Sequence, residues 1–344
     1  EADLRPFVLL QPGAQFSMGR VTVSGDLMTN RLGQDGFAFA EVTPYPELDR
    51  EKKEVSLTFL VEAGKRVYVK RINFNGGTLT TSGAITISSA NAATVVKSGG
   101  AVFNVASNTL TMSGILATDG TGGGLTKNGT GTLTLSNANT YTGGTTVNAG
   151  TILISGAGAL ANNAANTLTI NNGGTFTVAR QDFLGNAAAT INMPIVINSG
   201  GVFQNSGTIF NSLGNLTLNG GTLQSTAVEA SSGQAFALKG TVTVNGSTTS
   251  TISGNGIALG GWDVTGTTFV VNDGAADTDL NVTGVLRNGA AFNSWPNAQA
   301  SSLTKNGTGT MVLAGNNTYN GTTTINAGTL SVTGTTSSSA ITIN

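Results

Sequence analysis

Over most of this chain, aliphatic residues occupy alternate positions in short runs separated by Gly, Asn and Ser. Leu133-Thr134-Leu135, Ile152-Leu153-Ile154, Leu168-Thr169-Ile170, Ile195-Val196-Ile197, Leu216-Thr217-Leu218 and Val242-Thr243-Val244 each predict a short strand with one face turned to a core. Between such runs a phrase returns: Asn75-Gly76-Gly77-Thr78-Leu79, Ser98-Gly99-Gly100-Ala101-Val102, Asn148-Ala149-Gly150-Thr151-Ile152, Asn172-Gly173-Gly174-Thr175-Phe176, Ser199-Gly200-Gly201-Val202-Phe203, Asn219-Gly220-Gly221-Thr222-Leu223 and Asn326-Ala327-Gly328-Thr329-Leu330. Most neighbouring copies lie about 20–27 residues apart, or about twice that, which is the period of a solenoid coil. One stretch recurs almost whole. LTKNGTGTLTLSNANTYTGGTTVNAGTILISG begins at Leu125, and LTKNGTGTMVLAGNNTYNGTTTINAGTLSVTG begins at Leu303.

These features predict a mainly β chain whose long part is a right-handed parallel β-helix. Each coil has short strands with alternate residues stacked inward. Gly and Asn supply left-handed corners that β-branched residues cannot. Inward Thr and Asn are expected to form ladders along the axis. At about 23 residues per coil and about 4.8 Å per rung, the prediction is roughly a dozen coils, on the order of 55 Å long.

The first 75 residues read differently. About 20 of the 33 formal charges precede Asn75, as do Pro6, Pro12, Pro44 and Pro46. This predicts one domain over residues 1–75 and a second over 76–344. In the first, Asp26–Gly33 reads as a helix ending at a Gly cap. Phe39–Thr43 and Glu54–Val61 alternate as strands around the charged turn Asp49–Lys53, and Val67–Phe74 alternates again. The prolines at 44 and 46 confine the first strand to a sheet edge or stop it.

NRLGQDGFAFAEVTPYPELDREKKEVSLTFLVEAGKRVYVKRINFNG resembles the POTRA repeats of BamA-type outer-membrane assembly factors. The resemblance implies a small α/β domain lacking its first strand, followed by the opening strand of a next repeat. It also favours helix at Val21-Thr22-Val23, where intrinsic propensity favours strand. The duplicated segment resembles the passenger-associated repeat of type V autotransporters, carried here by Gly129, Gly131, Tyr141, Gly143 and Gly150, and again by Gly307, Gly309, Tyr319, Gly321 and Gly328. In that family the repeat lies in a surface-exposed β-helical passenger and is linked to export and folding. The family's C-terminal barrel is absent here. The chain opens on Glu1-Ala2-Asp3 without a signal-peptide pattern and stops at Asn344 partway into a coil, as a mature form or fragment would. The join lies where both families share an Asn-Gly-Gly-like phrase, which leaves a natural fusion, a mis-assembled reading frame or a designed chimera open.

Composition narrows the chemistry. The chain has no Cys and no His, 10% charged residues and a net charge of -1. Thiolate chemistry, disulfides, ordinary zinc sites and the commonest general base are excluded, and no electrostatic case for nucleic acid arises. Asp273, Asp277 and Asp279 lack calcium-loop spacing and read as a polar corner. Asp182 beside Arg180 and Asp263 beside Trp262 read as loop charges. Gly120–Gly124 lacks the following Lys-Ser/Thr of a phosphate loop. Trp262 and Trp295 read as corner residues, and Lys127 and Lys305 as covering an edge or solvating a corner. No enzyme, cofactor or metal site is therefore predicted.

The first reading of function is a secreted or surface-displayed passenger acting as a rigid stalk or adhesin-like face, with a host surface or glycan as ligand. The other is a periplasmic assembly module whose partners are the outer-membrane assembly machinery or unfolded outer-membrane proteins, client strands being taken by β-augmentation. Its docking strands would be Ala38, Phe39, Ala40, Glu41, Val42 and Thr43, together with Val67, Val69, Ile72 and Phe74.

Overall fold

The computed structural model describes residues 4–66, 71–88, 93–185, 189–207, 209–226, 235–261, 264–289 and 300–344. The chain divides into two compact units, Glu1–Lys70 and Arg71–Asn344.

In the first unit, helix α1 spans Met18–Gln34 and buries Val21, Met28 and Leu32 on one stripe. Burial of Val21 on this stripe overrides the strand propensity of Val21-Thr22-Val23. Ser24 is buried beside them, accepting the Leu9 N–H (2.9 Å) and donating to Arg20 O (2.8 Å). The helix does not end at Gly33. Gly36 takes the left-handed conformation (φ +93°), its N–H bonds Gly33 O, and Phe37 N–H bonds Leu32 O. This is a Schellman closure with Gly36 as the stop signal.

Two strands follow, β1 (Glu41–Asp49) and β2 (Glu54–Glu62), paired antiparallel from Glu41↔Glu62 to Asp49↔Glu54. The strand thus begins at Glu41 rather than Phe39, because Ala40 N–H is engaged in a turn to Phe37 O. It also runs through both prolines. Pro44 and Pro46 share one parity, so their nitrogens point to the outer side of β1 and no ladder bond is lost.

In the second unit every named strand pairs parallel, one coil on. A 12-stranded sheet runs from β4 (Gly77–Thr81) to Ile341–Ile343, and an 11-stranded sheet from β5 (Ile85–Ile87) to Thr329–Val332. Two short sheets form a third side: β3 (Arg71–Phe74), β6 (Ala93–Val96) and Leu116–Thr118, then Asn211–Leu213, Phe236–Leu238, Ile257–Leu259 and Leu286–Asn288. This is a parallel β-helix. Its interior stacks Leu125, Leu168, Ile195, Leu216 and Val242 on one wall and Leu110, Leu133, Ile152, Phe176 and Phe203 on the other, all buried. Phe176, Phe203 and Phe236 interlock edge to face, with centroids 5.4 and 5.3 Å apart.

An asparagine ladder forms, but at a half-exposed corner rather than inside. Asn148, Asn171, Asn198 and Asn219 each donate an amide N–H to the Oδ1 of Asn128, Asn148, Asn171 and Asn198 respectively, at 2.7–2.9 Å. The interior is aliphatic enough that an amide gains more at the corner, where water satisfies its remaining valences.

Candidate functional site

The two passenger-like segments build the same interior twice. Leu125 pairs with Thr145 and Leu303 with Thr323, so each takes a 20-residue coil. Alternation sets Leu125 and Lys127, and Leu303 and Lys305, on the inward side. Both lysines have 0% of their surface exposed. They are therefore not edge covers or solvated corners. Their parity forces the amine inside, and the corner backbone supplies its acceptors. Lys127 Nζ donates to the carbonyls of Asn128 (2.9 Å), Gly129 (2.6 Å) and Ala149 (3.1 Å). Lys305 Nζ donates to Gly307 O (2.8 Å) and Ala327 O (2.9 Å). Each amine thus ties the corner of its own coil to that of the next. Burial pushes the Lys127 amine down to about 8; it also lowers that of Lys305, against the pull of Asp279.

On the third side, an Asn-Thr-Tyr stretch stands in for a strand. Asn139 Oδ1 accepts Leu116 N–H (3.0 Å) and its amide donates to Ala159 O (3.0 Å) in the following coil. Asn317 repeats this with Leu286 N–H (2.9 Å) and Thr335 O (3.1 Å). Thr140 and Tyr141 N–H both reach Leu116 O, and Thr318 and Tyr319 N–H both reach Leu286 O. Leu116 and Leu286 open the last strands of the two short sheets, so each repeat ends a third-side sheet. The tyrosine ring fills the space. Tyr141 and Tyr319 are fully buried, with hydroxyls 2.6 and 2.7 Å from the Oγ1 of Thr145 and Thr323. Burial raises the Tyr141 hydroxyl, and its bond to Thr145 opposes the shift.

The motif glycines are the contact points with the preceding coil. Gly129 and Gly307 are left-handed (φ +75° and +79°), and a Cβ on either would lie 2.3 Å from Val105 O or Val271 O. At Gly131, Gly143, Gly309 and Gly321 the added carbon would meet Asn108 O, Gly122 O, Asp279 Oδ2 and Ser301 O within 2.3–2.5 Å. Gly150 and Gly328 turn the next corner at φ +65° and +69°. Asn139 and Thr145 have no role in the motif reading, and Lys127 has an outer one, yet each is identical in the second copy, and for Lys127 the parity alone marks the inside.

The other expected positions disperse. Among the described residues no group of three acidic side chains could hold a metal. Asp273 and Asp277 are exposed, whereas Asp279 is buried and accepts Gly274 N–H and Thr310 N–H, both at 2.8 Å. Asp182 sits in a left-handed turn (φ +57°) with its carboxyl raised by burial, while Arg180 donates to Ala157 O and Gly158 O. Gly120 and Gly122 form a left-handed turn. Trp262, Asp263 and Trp295 lie outside the described residues, as do Val67 and Val69.

Of the expected docking residues, Ala38, Phe39 and Ala40 precede β1, and Glu41, Val42 and Thr43 open it. Its outer edge lacks the N–H donors of Pro44 and Pro46. The outer edge of β2 has no proline, and Leu60 and Val61 are exposed there. Ile72 and Phe74 belong to β3, which pairs with β6; Ile72 packs on the core, and Phe74 is buried with its ring 5.1 Å from that of Phe103. Phe74 is thus used by the coil and not offered to a partner.

Known family models match the first unit and the two duplicated coil segments. The passenger-associated-transport-repeat model matches residues 125–154 and 303–332. The POTRA model, described as a surface antigen variable number repeat, matches residues 1–64. The outer membrane protein assembly factor BamA of Neisseria meningitidis serogroup B is 28% identical over 80 residues, 23% of this chain and 10% of that protein. BamA of Buchnera aphidicola subsp. Acyrthosiphon pisum is 28% identical over 71 residues, 21% of this chain and 12% of that protein. The chain thus spans about a tenth of the length of these relatives. No solved structure matches. No described helix is long and apolar enough to cross a membrane.

Proposed function

We propose that the β-helix is part of an autotransporter passenger, secreted or displayed at the surface of a Gram-negative bacterium, where it serves as a rigid stalk or adhesin-like face. The observation that carries this reading is the pair of passenger-associated repeats, each built into the coil with the same lysine, asparagine and tyrosine anchors. The strands of the two long sheets carry only Lys127 and Lys305 as charged residues, and both point inward. The outer faces are therefore long, uncharged arrays of Thr, Val, Asn and Gln, suited to a repetitive, hydroxyl-rich ligand such as a host glycan. Neither matched family supplies a catalytic role, and none is proposed. On this reading two domains of separate descent, residues 1–75 and 76–344, meet in one chain.

The test is to fuse the full chain ahead of an autotransporter barrel and treat intact cells with protease. Surface exposure with a protease-resistant β-helix is expected; retention inside the outer membrane would overturn the proposal.

Among the described residues only β1 pairs with β2, and its unpaired outer edge there favours a second reading for residues 1–66, a periplasmic module that takes strands of unfolded outer-membrane proteins by β-augmentation. A photocrosslinker at Thr58 should then capture such strands, whereas one at Tyr45, on the proline-blocked strand, should not. Equal capture at both would remove the basis for this reading.

A further inference from the structure

The chain contains nine Asn-Gly dipeptides, beginning at residues 75, 128, 172, 219, 245, 255, 288, 306 and 320. Asn-Gly is the dipeptide most prone to attack its own side chain, because glycine leaves the following nitrogen unhindered. The coil needs these glycines at its corners, so the hazard is built into the fold.

Seven of the nine asparagines have their amide held. Asn75 Oδ1 accepts Gly99 N–H (3.0 Å). Asn128, Asn219, Asn245 and Asn306 are bonded to asparagines of adjacent coils at 2.7–2.9 Å. Asn288 and Asn320 bond each other at 2.9 Å. Attack requires the amide carbon to swing onto the next backbone nitrogen, so each of these bonds must open first.

Asn172 and Asn255 have no such bond among the described residues. The Asn172 side chain is exposed in a turn, one residue beyond Asn171 of the ladder, and Gly173 N–H keeps only a 3.2 Å bond to Gly200 O. Asn255 is half-buried, followed by left-handed Gly256 (φ +76°), whose N–H donates no bond among the described residues.

We propose that Asn172 and Asn255 are self-modification sites of the folded protein, converting to aspartyl and isoaspartyl residues. The nitrogen of Gly173 or Gly256 loses its proton and bonds the asparagine Cγ. The Cγ–NH2 bond breaks, releasing ammonia and leaving a cyclic imide. Water opens either C–N bond of the ring, giving a carboxylate with the chain running through the main chain or the side chain. No redox partner takes part. The ladder thereby has a second role, as a chemical lock on the corners it crosses.

The test is to age the intact folded chain in mildly alkaline buffer, digest it, and follow amide-to-acid conversion and isoaspartyl formation at each dipeptide by mass spectrometry. Conversion at 172 and 255 should exceed that at 128 and 306 by about tenfold, the suppression expected when a hydrogen bond must open first. Ageing in denaturant should bring all nine sites to comparable rates, and Asn172→Gln with Asn255→Gln should remove the folded-state product. Conversion of ladder sites at the same rate as 172 and 255, or of neither 172 nor 255 while the denatured chain reacts, would overturn the proposal.

Discussion

A primary amine sealed in an apolar coil persists only while its hydrogens are matched, and Lys127 matches its own with three carbonyls from two coils. Lys127→Met keeps the packing volume but orphans those carbonyls, so a loss of about 2–4 kcal/mol is expected, read from denaturant midpoints. Alanine at the half-buried, outward-facing Thr126 of the same strand should change little. The amine also sets a pH dependence. Its folded value of about 8 lies below the ordinary 10.5, so the unfolded chain binds the proton more tightly between these values. Stability should therefore rise with pH across that window, relative to Lys127→Met. Tyr141 acts in the opposite sense: its raised hydroxyl contributes fully below about pH 10 and is lost above it, a fall that Tyr141→Phe should remove. The position of the lysine was legible from the alternation of Leu125 and Lys127. Charge suggested a surface instead, because a lysine's usual place outweighs its parity until the carbonyl acceptors are seen.

At the scale of elements, the coil strands were legible because period-two alternation has one structural meaning where Gly and Asn close every corner. What alternation does not carry is pairing. Phe39-Ala40 alternates with its neighbours yet lies in a turn, and Arg71–Phe74, expected to belong with the first 75 residues, is claimed by β6. The helix stop was misplaced because two glycines compete, and only the hydrogen bonds to Leu32 and Gly33 choose Gly36. The third side of each repeat was invisible, since an asparagine side chain doing the work of a strand leaves no period. It is testable. Asn139→Ala removes the acceptor for Leu116 N–H and the donor to Ala159 O, so hydrogen exchange should speed at Leu116, Thr140 and Tyr141 while distant rungs such as Leu216–Asn219 stay protected. Gly129→Ala is expected to cost more, about 2–4 kcal/mol, because the left-handed backbone and the close carbonyl of Val105 both oppose a methyl group.

At the scale of the whole molecule, the two units differ in how much apolar surface they bury. Among the described residues of the first unit, Val21, Met28 and Leu32 are the buried hydrophobic side chains, while Phe39, Tyr45, Leu48 and Leu60 are exposed. A unit of about 70 residues with so small a core is marginal. The β-helix instead shares one continuous core across all its coils, and each rung is stabilised by its neighbours. Unfolding should therefore proceed in two steps as urea is raised. The only α-helix among the described residues is α1, so the helical circular-dichroism signal reports the first unit. Trp262 and Trp295 are the only tryptophans and fall within the span of the second unit, so their fluorescence reports that unit. Loss of helical signal at a urea concentration where tryptophan emission is unchanged is the expected result. Coincident transitions would mean instead that the units fold as one body, and that the first draws its stability from the coil.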